Sequence, residues 1–475
     1  MLNYRSVVGS SFLAATAALS GCVVEPAGPP VAETPKAFVG AIPNSKARDV
    51  SKDWWLAFGD SRLTSLVETG ETNNPELRQA QARIEQAKAK VDLAAASLLP
   101  SVSGGVGASR GNPYGIGTSS GGYGTASGSW LVDIFGGTRA QKRAAEARYE
   151  AAVSDAEDTR LTVLSSIAST YVDVRYYQER IALAKRTVDN RKHNLSLMRD
   201  SEGAGESSQL QLVQAEQLVA RAEADIPSLE VDLENSIDSL ANLTGSPVAQ
   251  LRSQLLASAG QPKPRYKVGV GIPADVVRNR PDVRRAEDNF VAAAENVGVA
   301  KVAFYPSLQL SGYLTPTAVV NAPNVNIWNM AANFTAPIFD GGANKANLAY
   351  ANGQLQEAKG AWQAAVLNGV TDVEKALAAY DRDSRNLAAQ DKLVATSGEA
   401  LRLGRVNFQL GAGVFFNILD AERDYLDAQQ NQAQAVRDQA DHYIALCKAA
   451  PAGENDDSGV QTLSQSSSKT ARKTG

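Results

Sequence analysis

The stretch Asn74-Pro75-Glu76-Leu77-Arg78 occurs a second time, in altered form, as Arg280-Pro281-Asp282-Val283-Arg284. The proline, the acidic residue, the aliphatic residue and the final arginine keep their order, and the two prolines are 281 − 75 = 206 residues apart. A stretch repeated at a fixed spacing indicates two copies of one structural unit. Further matches at the same spacing therefore decide whether the whole chain is duplicated.

Four more pairs of short stretches follow in the same order at nearly the same spacing. They are Leu99-Pro100-Ser101 with Tyr305-Pro306-Ser307, Gly136-Gly137 with Gly341-Gly342, Gly203-Ala204-Gly205 with Gly411-Ala412-Gly413, and Gln214-Ala215-Glu216 with Asp420-Ala421-Glu422. A constant order at a constant spacing is hard to obtain by chance. We therefore predict two structural repeats, residues 53–270 and 271–450, with the boundary near Lys267.

Each repeat is predicted to contain two strands, within 101–134 in the first and 306–338 in the second. In the second repeat, apolar and polar or small residues alternate: Trp328, Met330, Ala332, Phe334 and Ala336 fall on one face. A period of two with one apolar face fits a strand that has lipid on one side and water on the other. A sheet in water with one wet face remains the alternative. The first repeat's strands are rich in glycine and less distinct.

Long helical hairpins follow the strands, about 138–244 and 342–449, and make the fold class α+β. Proline is absent from Tyr114 to Ile226 and from Ile338 to Ala450. Apolar residues of the first hairpin recur at heptad spacing, as in a coiled coil: Leu164, Ile167, Tyr171, Val174, Ile181, Ala184, Val188, Leu195 and Met198. Its first helix is predicted to be roughly 90 Å long at 1.5 Å per residue. Pro227 is expected to kink the returning helix or split it in two.

The N-terminus is predicted to be a lipoprotein signal peptide, residues 1–21, followed by the acylated Cys22. A short apolar run ends in Leu19-Ser20-Gly21-Cys22, and such a run is too short to span a membrane. An ordinary secretory signal with an incidental cysteine is the alternative. Residues 22–52, which are rich in proline, are predicted to be a tether, and residues 451–475 a disordered tail.

Composition gives no support for an enzyme or for a protein that binds nucleic acid. The net charge is −4, and we find no phosphate-binding loop, nucleophile elbow or cluster of cysteine and histidine. The sequence therefore predicts neither a cofactor nor a metal, apart from the covalent lipid on Cys22. His193 and His442 are predicted to be solvated on helices, and Cys447 to be a buried, inert thiol.

Taken together, these features resemble the TolC-like outer-membrane factors, and in particular the lipoprotein branch of tripartite efflux systems, the NodT- and OprM-like channels. The resemblance covers nearly all of residues 50–450. The motifs that carry it are Asp53-Trp54-Trp55 with Phe58-Gly59-Asp60, Asn74-Pro75-Glu76-Leu77, Trp130-Leu131-Val132-Asp133-Ile134-Phe135-Gly136, Ile226-Pro227-Ser228-Leu229-Glu230, Arg278-Asn279-Arg280-Pro281-Asp282-Val283-Arg284, Val299-Ala300-Lys301 with Phe304-Tyr305-Pro306-Ser307, Phe339-Asp340-Gly341-Gly342, and Ile418-Leu419-Asp420-Ala421-Glu422.

The resemblance implies a passive efflux duct in the outer membrane, with a periplasmic extension. Three chains with four strands each would close one twelve-stranded barrel, which leaves no unpaired strand edge in lipid. The helices of the homotrimer would form a coiled-coil tunnel. The hairpin tips, at Gly203, Gly205, Gly411 and Gly413, would dock a periplasmic adaptor that links the channel to an inner-membrane pump, expected to be of the RND type.

The resemblance also implies a periplasmic gate just after the second tip. In the family, acidic residues at that place ring the closed end, and the matching positions here are Asn417 and Asp420. Members often have aspartate at both, so Asn417 departs from the pattern and one ring of three carboxylates would remain unless Asp424 contributes. Phe415 and Phe416 are expected to add an apolar constriction. The alternatives are a solvated helix carboxylate for Asp420 and tip packing for Phe416.

Two other functions remain open on the sequence. A duct of the same fold could export proteins in type I secretion, although the lipobox and the Ile226-Pro227 motif favour small molecules. A lipid-anchored periplasmic coiled-coil scaffold without a pore would lack barrel strands, and the alternation from Trp328 to Ala336 argues against it.

Overall fold

A computed structural model describes the protein over most of the two repeats. The described residues are 28, 38, 50–112, 118–205, 207–255, 257, 259–265, 273–320, 323–410, 412 and 414–452. The predicted signal peptide, Cys22 and most of the predicted tail therefore lie outside them, as do Gly411 and Gly413 at the second tip.

The first repeat begins with a short 3-10 helix, Trp54–Phe58. It continues with α1 (Ser61–Asn73), α2 (Pro75–Ala96), β1 (Ser101–Gly111), β2 (Ser119–Val132), α3 (Gly137–Gly203), α4 (Gln209–Thr244) and α5 (Val248–Leu255). The second repeat has α6 (Pro273–Asn279), α7 (Pro281–Val302), β3 (Ser307–Val319), β4 (Val325–Thr335), α8 (Ala343–Gln409) and α9 (Phe415–Ala449).

The internal repeat is confirmed element by element. The helices α3 and α8 each contain 67 residues, and their first residues are 343 − 137 = 206 apart. The helices α2 and α7 each contain 22 residues, and their first residues are also 281 − 75 = 206 positions apart. Among the described residues, no helix combines the length and the apolar character that a membrane-spanning helix needs.

The chain forms two compact units that cut across the repeats. Unit 1 includes Gln81–Asp155 and Arg284–Ala365, and unit 2 includes Ala156–Val283, the described residues from Val366 onward and residues 50–80. Unit 1 contains one four-stranded antiparallel sheet in the order β1-β2-β3-β4. The central pair, β2 with β3, joins a strand of the first repeat to a strand of the second.

An aspartate sits at each passage from strand to long helix in unit 1. The Asp133 Oδ2 atom accepts a hydrogen bond from the Arg139 backbone N–H at 2.9 Å, and the Asp340 Oδ2 atom accepts one from the Asn344 N–H at 2.9 Å. The first N–H groups of a helix have no partner within the helix, so a nearby carboxylate stabilises its start. Gly136 at φ 82° and Gly341 at φ 64° adopt left-handed backbone conformations in these turns, which favour glycine.

Unit 2 contains the main apolar core. Its members come from the 3-10 helix, α1, α3, α4, α5, α8 and α9, and include Trp54, Trp55, Phe58, Leu63, Ile167, Tyr171, Leu240, Leu377, Tyr443 and Leu446. Asp60 caps α1 by accepting from the backbone N–H of Arg62 at 2.8 Å, and it also accepts from the Tyr171 hydroxyl at 2.6 Å. The motif from Trp54 to Asp60 therefore has a structural role, because it packs into this core and caps α1.

The repeated stretch, residues 74–78 and 280–284, holds the end of each returning helix. The Asn74 side-chain amide donates to the Leu243 carbonyl at 2.8 Å, and the Arg280 guanidinium donates to the Ala449 carbonyl at 3.0 Å. The two accepting carbonyls are 449 − 243 = 206 residues apart, so the two bonds are equivalent. The last carbonyls of a helix lack partners within it, and these side chains satisfy one in each repeat.

Pro227 does not split the returning helix, because α4 continues through it as one helix from Gln209 to Thr244, and of the two expected effects the kink stays a prediction. A proline deprives only the carbonyl four residues earlier, that of Glu223, of its main-chain partner. Pro227 and Glu223 are both exposed, so water can hydrogen-bond to that carbonyl. The Ser228 hydroxyl also donates to the Asp225 carbonyl at 3.0 Å beside the proline.

Candidate channel site

The strand register assembles one apolar face on the sheet of unit 1. Directly opposed residues of antiparallel strands share a face, and the pairs Trp130↔Leu310 and Leu314↔Trp328 link β2 to β3 and β3 to β4. Following the pairs across the sheet gives this face Val102, Val106, Ala126, Trp130, Val132, Leu308, Leu310, Leu314, Trp328, Met330, Ala332 and Phe334. Trp328 is 69% exposed and Met330 82% exposed, so the face is uncovered within one chain.

The opposite face of the sheet carries mainly hydroxyl and amide side chains, with the aliphatic Leu131, Val319, Val325 and Ile327 among them. Its members include Ser101, Ser103, Tyr123, Thr125, Ser127, Ser129, Gln309, Ser311, Tyr313, Thr315, Thr317, Asn329, Asn333 and Thr335. The serine hydroxyls pair across β1 and β2, with Oγ–Oγ distances of 2.9 Å between Ser101 and Ser129 and 2.8 Å between Ser103 and Ser127. The sheet thus has one apolar face and one face that is rich in hydrogen-bonding groups.

Two strand edges of this sheet have no partner within the described chain. Each of β1 and β4 pairs with a single neighbour. An unpaired edge exposes a row of N–H and C=O groups, which is costly in lipid and readily accepts another strand. One chain by itself therefore leaves the sheet open at both sides.

The first hairpin tip, in unit 2, lies between α3 and α4. Gly203 is the last residue of α3, and Gly205 has φ 79°, so it occupies the left-handed region. Ser208 begins α4 with a capping box, because its side chain accepts from the Gln211 N–H while the Gln211 side chain accepts from the Ser208 N–H. Both glycines lie at the turn, where the sequence predicted them.

The second tip, between α8 and α9, is built differently. The helix α9 begins after Val414, whose side chain makes no capping hydrogen bond. Phe416 is 66% exposed, and Asn417 is also exposed. The surface near this tip is thus available for contacts with other chains.

Asp420 lies on the first turns of α9 with a partner that the sequence analysis did not consider. Its carboxylate is 3.5 Å from the Arg423 guanidinium, which also approaches the Asp424 carboxylate at 3.2 Å. The hydrogen bond to Asp424 and the charge of Asp420 raise the pKa of Arg423 above its ordinary value. The three side chains are more than 45% exposed, so the cluster is open to solvent and its attraction is screened.

Glu422, two residues further along, is a buried carboxylate that the sequence analysis missed. It is 1% exposed and accepts a hydrogen bond from the Asn194 side-chain amide of α3 at 2.7 Å. The Arg191 guanidinium, also buried, lies 3.6 Å from the same Glu422 oxygen. Glu422 could be seen in the sequence, but its hydrogen-bond donor Asn194 lies 228 residues away along the chain.

The remaining predicted residues include confirmed ones, one that departs from its prediction, and undescribed ones. Cys447 is fully buried, and burial raises the pKa of its thiol to about 12, in accord with an inert cysteine. His193 is exposed, whereas the His442 Nδ1 atom pairs with the Asp383 carboxylate. Cys22, Gly411 and Gly413 lie outside the described residues, so their assigned roles stay predictions.

Comparison with known families gives one consistent match. The model of the outer membrane efflux protein family matches residues 66–246 and 272–450, one segment for each repeat. Nodulation protein T of Rhizobium leguminosarum bv. trifolii is 35% identical over 450 residues, covering 92% of this chain and 96% of the relative. The pyoverdine export outer membrane protein OpmQ of Pseudomonas putida is 32% identical over 422 residues, covering 85% of this chain and 89% of the relative.

Solved structures agree with the family match. The open state of the Neisseria gonorrhoeae MtrE outer membrane channel superposes with a TM-score of 0.79 at 27% identity, covering 91% of this chain and 98% of that one. The outer-membrane channel OprN superposes with a TM-score of 0.80 at 25% identity, covering 90% of this chain and 99% of that one. The chain therefore belongs to the outer membrane efflux protein family and is a subunit of an outer-membrane efflux channel rather than an enzyme.

Proposed function

We propose that three copies of this chain form one channel, in which their sheets close a twelve-stranded barrel across the outer membrane. The observation that carries the proposal is the sheet of unit 1, with one apolar face, one polar face and two open edges. Pairing β4 of one copy with β1 of the next satisfies both edges. The apolar face then contacts lipid and the polar face contacts the water of the pore.

The test of this proposal is the behaviour of the purified full-length protein. We expect a heat-modifiable trimer on gels and single-channel conductance in planar bilayers. A protein that stays monomeric and conducts no ions would instead support the lipid-anchored scaffold without a pore.

The helices of the trimer are proposed to form the periplasmic part of the duct. The partners at the tips would be a periplasmic adaptor and an inner-membrane pump of the RND type. The relatives include a pyoverdine export protein, a toluene efflux pump protein and a cation efflux system protein, which favour small molecules and ions over the protein cargo of type I secretion. These names differ in cargo, so they assign no particular substrate to this channel.

The lipid anchor on Cys22 gives a prediction of its own. Cys22→Ala is expected to abolish acylation and to leave the signal peptide attached, because the thiol that receives the lipid is gone. Mass spectrometry of the N-terminal peptide measures both effects. Val23 follows the cysteine where aspartate would be the familiar signal for retention in the inner membrane, so we expect sorting to the outer membrane. A native N-terminus that is unmodified and cut elsewhere would contradict the lipoprotein assignment.

The gate proposed at Asp420, Asn417 and Phe416 is tested by ion selectivity. Three Asp420 carboxylates near a common axis form a negative constriction, which favours cations. Asp420→Ala is expected to lower the cation-over-anion permeability ratio about threefold, because charges a few ångströms apart interact only moderately in a hydrated site. The same substitution is expected to raise the resting conductance. Asn417→Asp adds a second carboxylate ring and is expected to raise the ratio.

The measurement for the gate is the reversal potential of purified channels in a salt gradient. Asp424→Ala removes the other carboxylate of the Arg423 cluster and leaves Asp420 paired, so it shows whether Asp424 contributes to the gate. If Asp420→Ala leaves selectivity and conductance unchanged, Asp420 has no part in the gate, while the channel assignment stands.

A further inference from the structure

The strand segments of this chain are almost free of charge, although the chain as a whole is not. Between Asp92 and Asp133 the only charged residue is Arg110, and between Lys301 and Asp340 there is none. The whole chain contains 47 basic and 51 acidic residues, 21% of its length. Charge has thus been excluded from the strands and their connecting loops specifically.

The single exception does not lie on the polar face. Arg110 shares the face of Val102 and Val106, because residues two and four positions apart on a strand point the same way. It stands one residue from the end of β1, opposite Ser120. No described strand residue of the polar face is therefore an aspartate, glutamate, lysine, arginine or histidine.

The polar face offers dipoles in place of charges. Hydroxyl groups donate and accept hydrogen bonds, and side-chain amides do both with different atoms, so either sign of charge on a solute finds a partner there. Tyr123 and Tyr313, the two aromatic side chains among the described strand residues of this face, add bulk and one hydroxyl group each. By contrast, fixed rings of charged side chains are what make a pore select by sign.

We infer that the sheet of this channel is a charge-neutral passage, which admits neutral, zwitterionic, cationic and anionic solutes without electrostatic preference. Charge selectivity of the whole channel then arises outside the strands. The inference rests on the proposed function in one respect: the polar face must line the pore. The strands then contribute to specificity, because they sort solutes by size and hydrogen bonding and not by charge.

The experiment measures local potential with thiol reagents of opposite charge. Asn333→Cys places a thiol on the polar face, and Ala332→Cys places one on the apolar face beside it. Both full-length variants are reconstituted in lipid bilayers and treated with a cationic or an anionic methanethiosulfonate, and mass spectrometry follows the modification. The unsubstituted protein gives the background reaction, including any from the buried Cys447.

At Asn333→Cys, the ratio of cationic to anionic reaction rates is expected to match the ratio for free cysteine and to be insensitive to salt. Gln309, directly opposite Asn333, provides the calibration. Adding Gln309→Glu to Asn333→Cys introduces a carboxylate in each chain and is expected to raise the ratio about tenfold or more at low salt.

The possible outcomes separate the inference from the proposed function. The ratio of cationic to anionic reaction rates at Asn333→Cys can depart from the free-cysteine ratio as far as it does in the variant that also carries Gln309→Glu. That result would overturn the neutral passage, while the assignment of the polar face to the pore would stand. Failure of Asn333→Cys to react with either reagent, or a faster reaction at Ala332→Cys, would overturn the assignment of the polar face to the pore and thus the proposed function itself.

Discussion

Met330→Arg is expected to remove most of the assembled channel from the outer membrane, whereas Asn329→Arg, one residue away, leaves it in place. Met330 is the central residue of β4 and lies on the apolar face, 82% exposed within one chain. An arginine on the lipid face near the bilayer midplane costs about 2–4 kcal/mol per copy. In the proposed trimer three copies multiply that penalty, so the effect on assembly is large.

The matched control follows from the strand alternation. Asn329 lies on the polar face opposite Tyr313, where an arginine side chain can remain hydrated. The measurement is the amount of heat-modifiable trimer in outer-membrane fractions, with total protein determined in parallel. Equal losses for the two variants, or a larger loss for Asn329→Arg, would contradict the placement of the apolar face against lipid.

The second repeat's strands could be predicted from the sequence because their alternation is strong. Trp328, Met330 and Phe334 lie on one face of β4, as expected, although Ala336 falls beyond the strand end. The register against β3 could not be predicted, since an alternating pattern alone fits every shift by two residues. The first repeat's strands were less distinct because glycines such as Gly124 and Gly128 occupy positions of the apolar face.

The candidate site was predictable only where a residue acts through its place along the chain. Gly203 and Gly205 mark a turn between two long helices, and this local signal located the first tip. The Asp420–Arg423 pair is also local, three residues apart on a helix, and could have been found by charge spacing. The partners of Glu422 depend on how α9 packs against α3, which no local pattern encodes.

That packing gives the second large expected effect: Glu422→Ala is expected to destabilise the contact between α3 and α9 by about 3–5 kcal/mol. The substitution leaves the buried Arg191 guanidinium without its negative neighbour and Asn194 without its acceptor. A buried charge that loses its compensating neighbour must be rehydrated, and the helices have to separate locally for water to enter. Hydrogen exchange of the α9 amides near Glu422 and the thermal midpoint of the purified protein measure the change.

A double substitution shows whether the unpaired buried charge causes the loss of stability in Glu422→Ala. Replacing a buried ion pair by apolar side chains of similar volume is often neutral or stabilising, whereas removal of one partner is not. Arg191→Met combined with Glu422→Met should therefore recover most of the protection that either single substitution loses. Glu422→Gln should fall between, because its amide oxygen can still accept from Asn194 at the 2.7 Å site but carries no charge to face Arg191. If the double variant is as unprotected as Glu422→Ala, the side chains stabilise the helices through shape or hydrogen bonding and not through their paired charges.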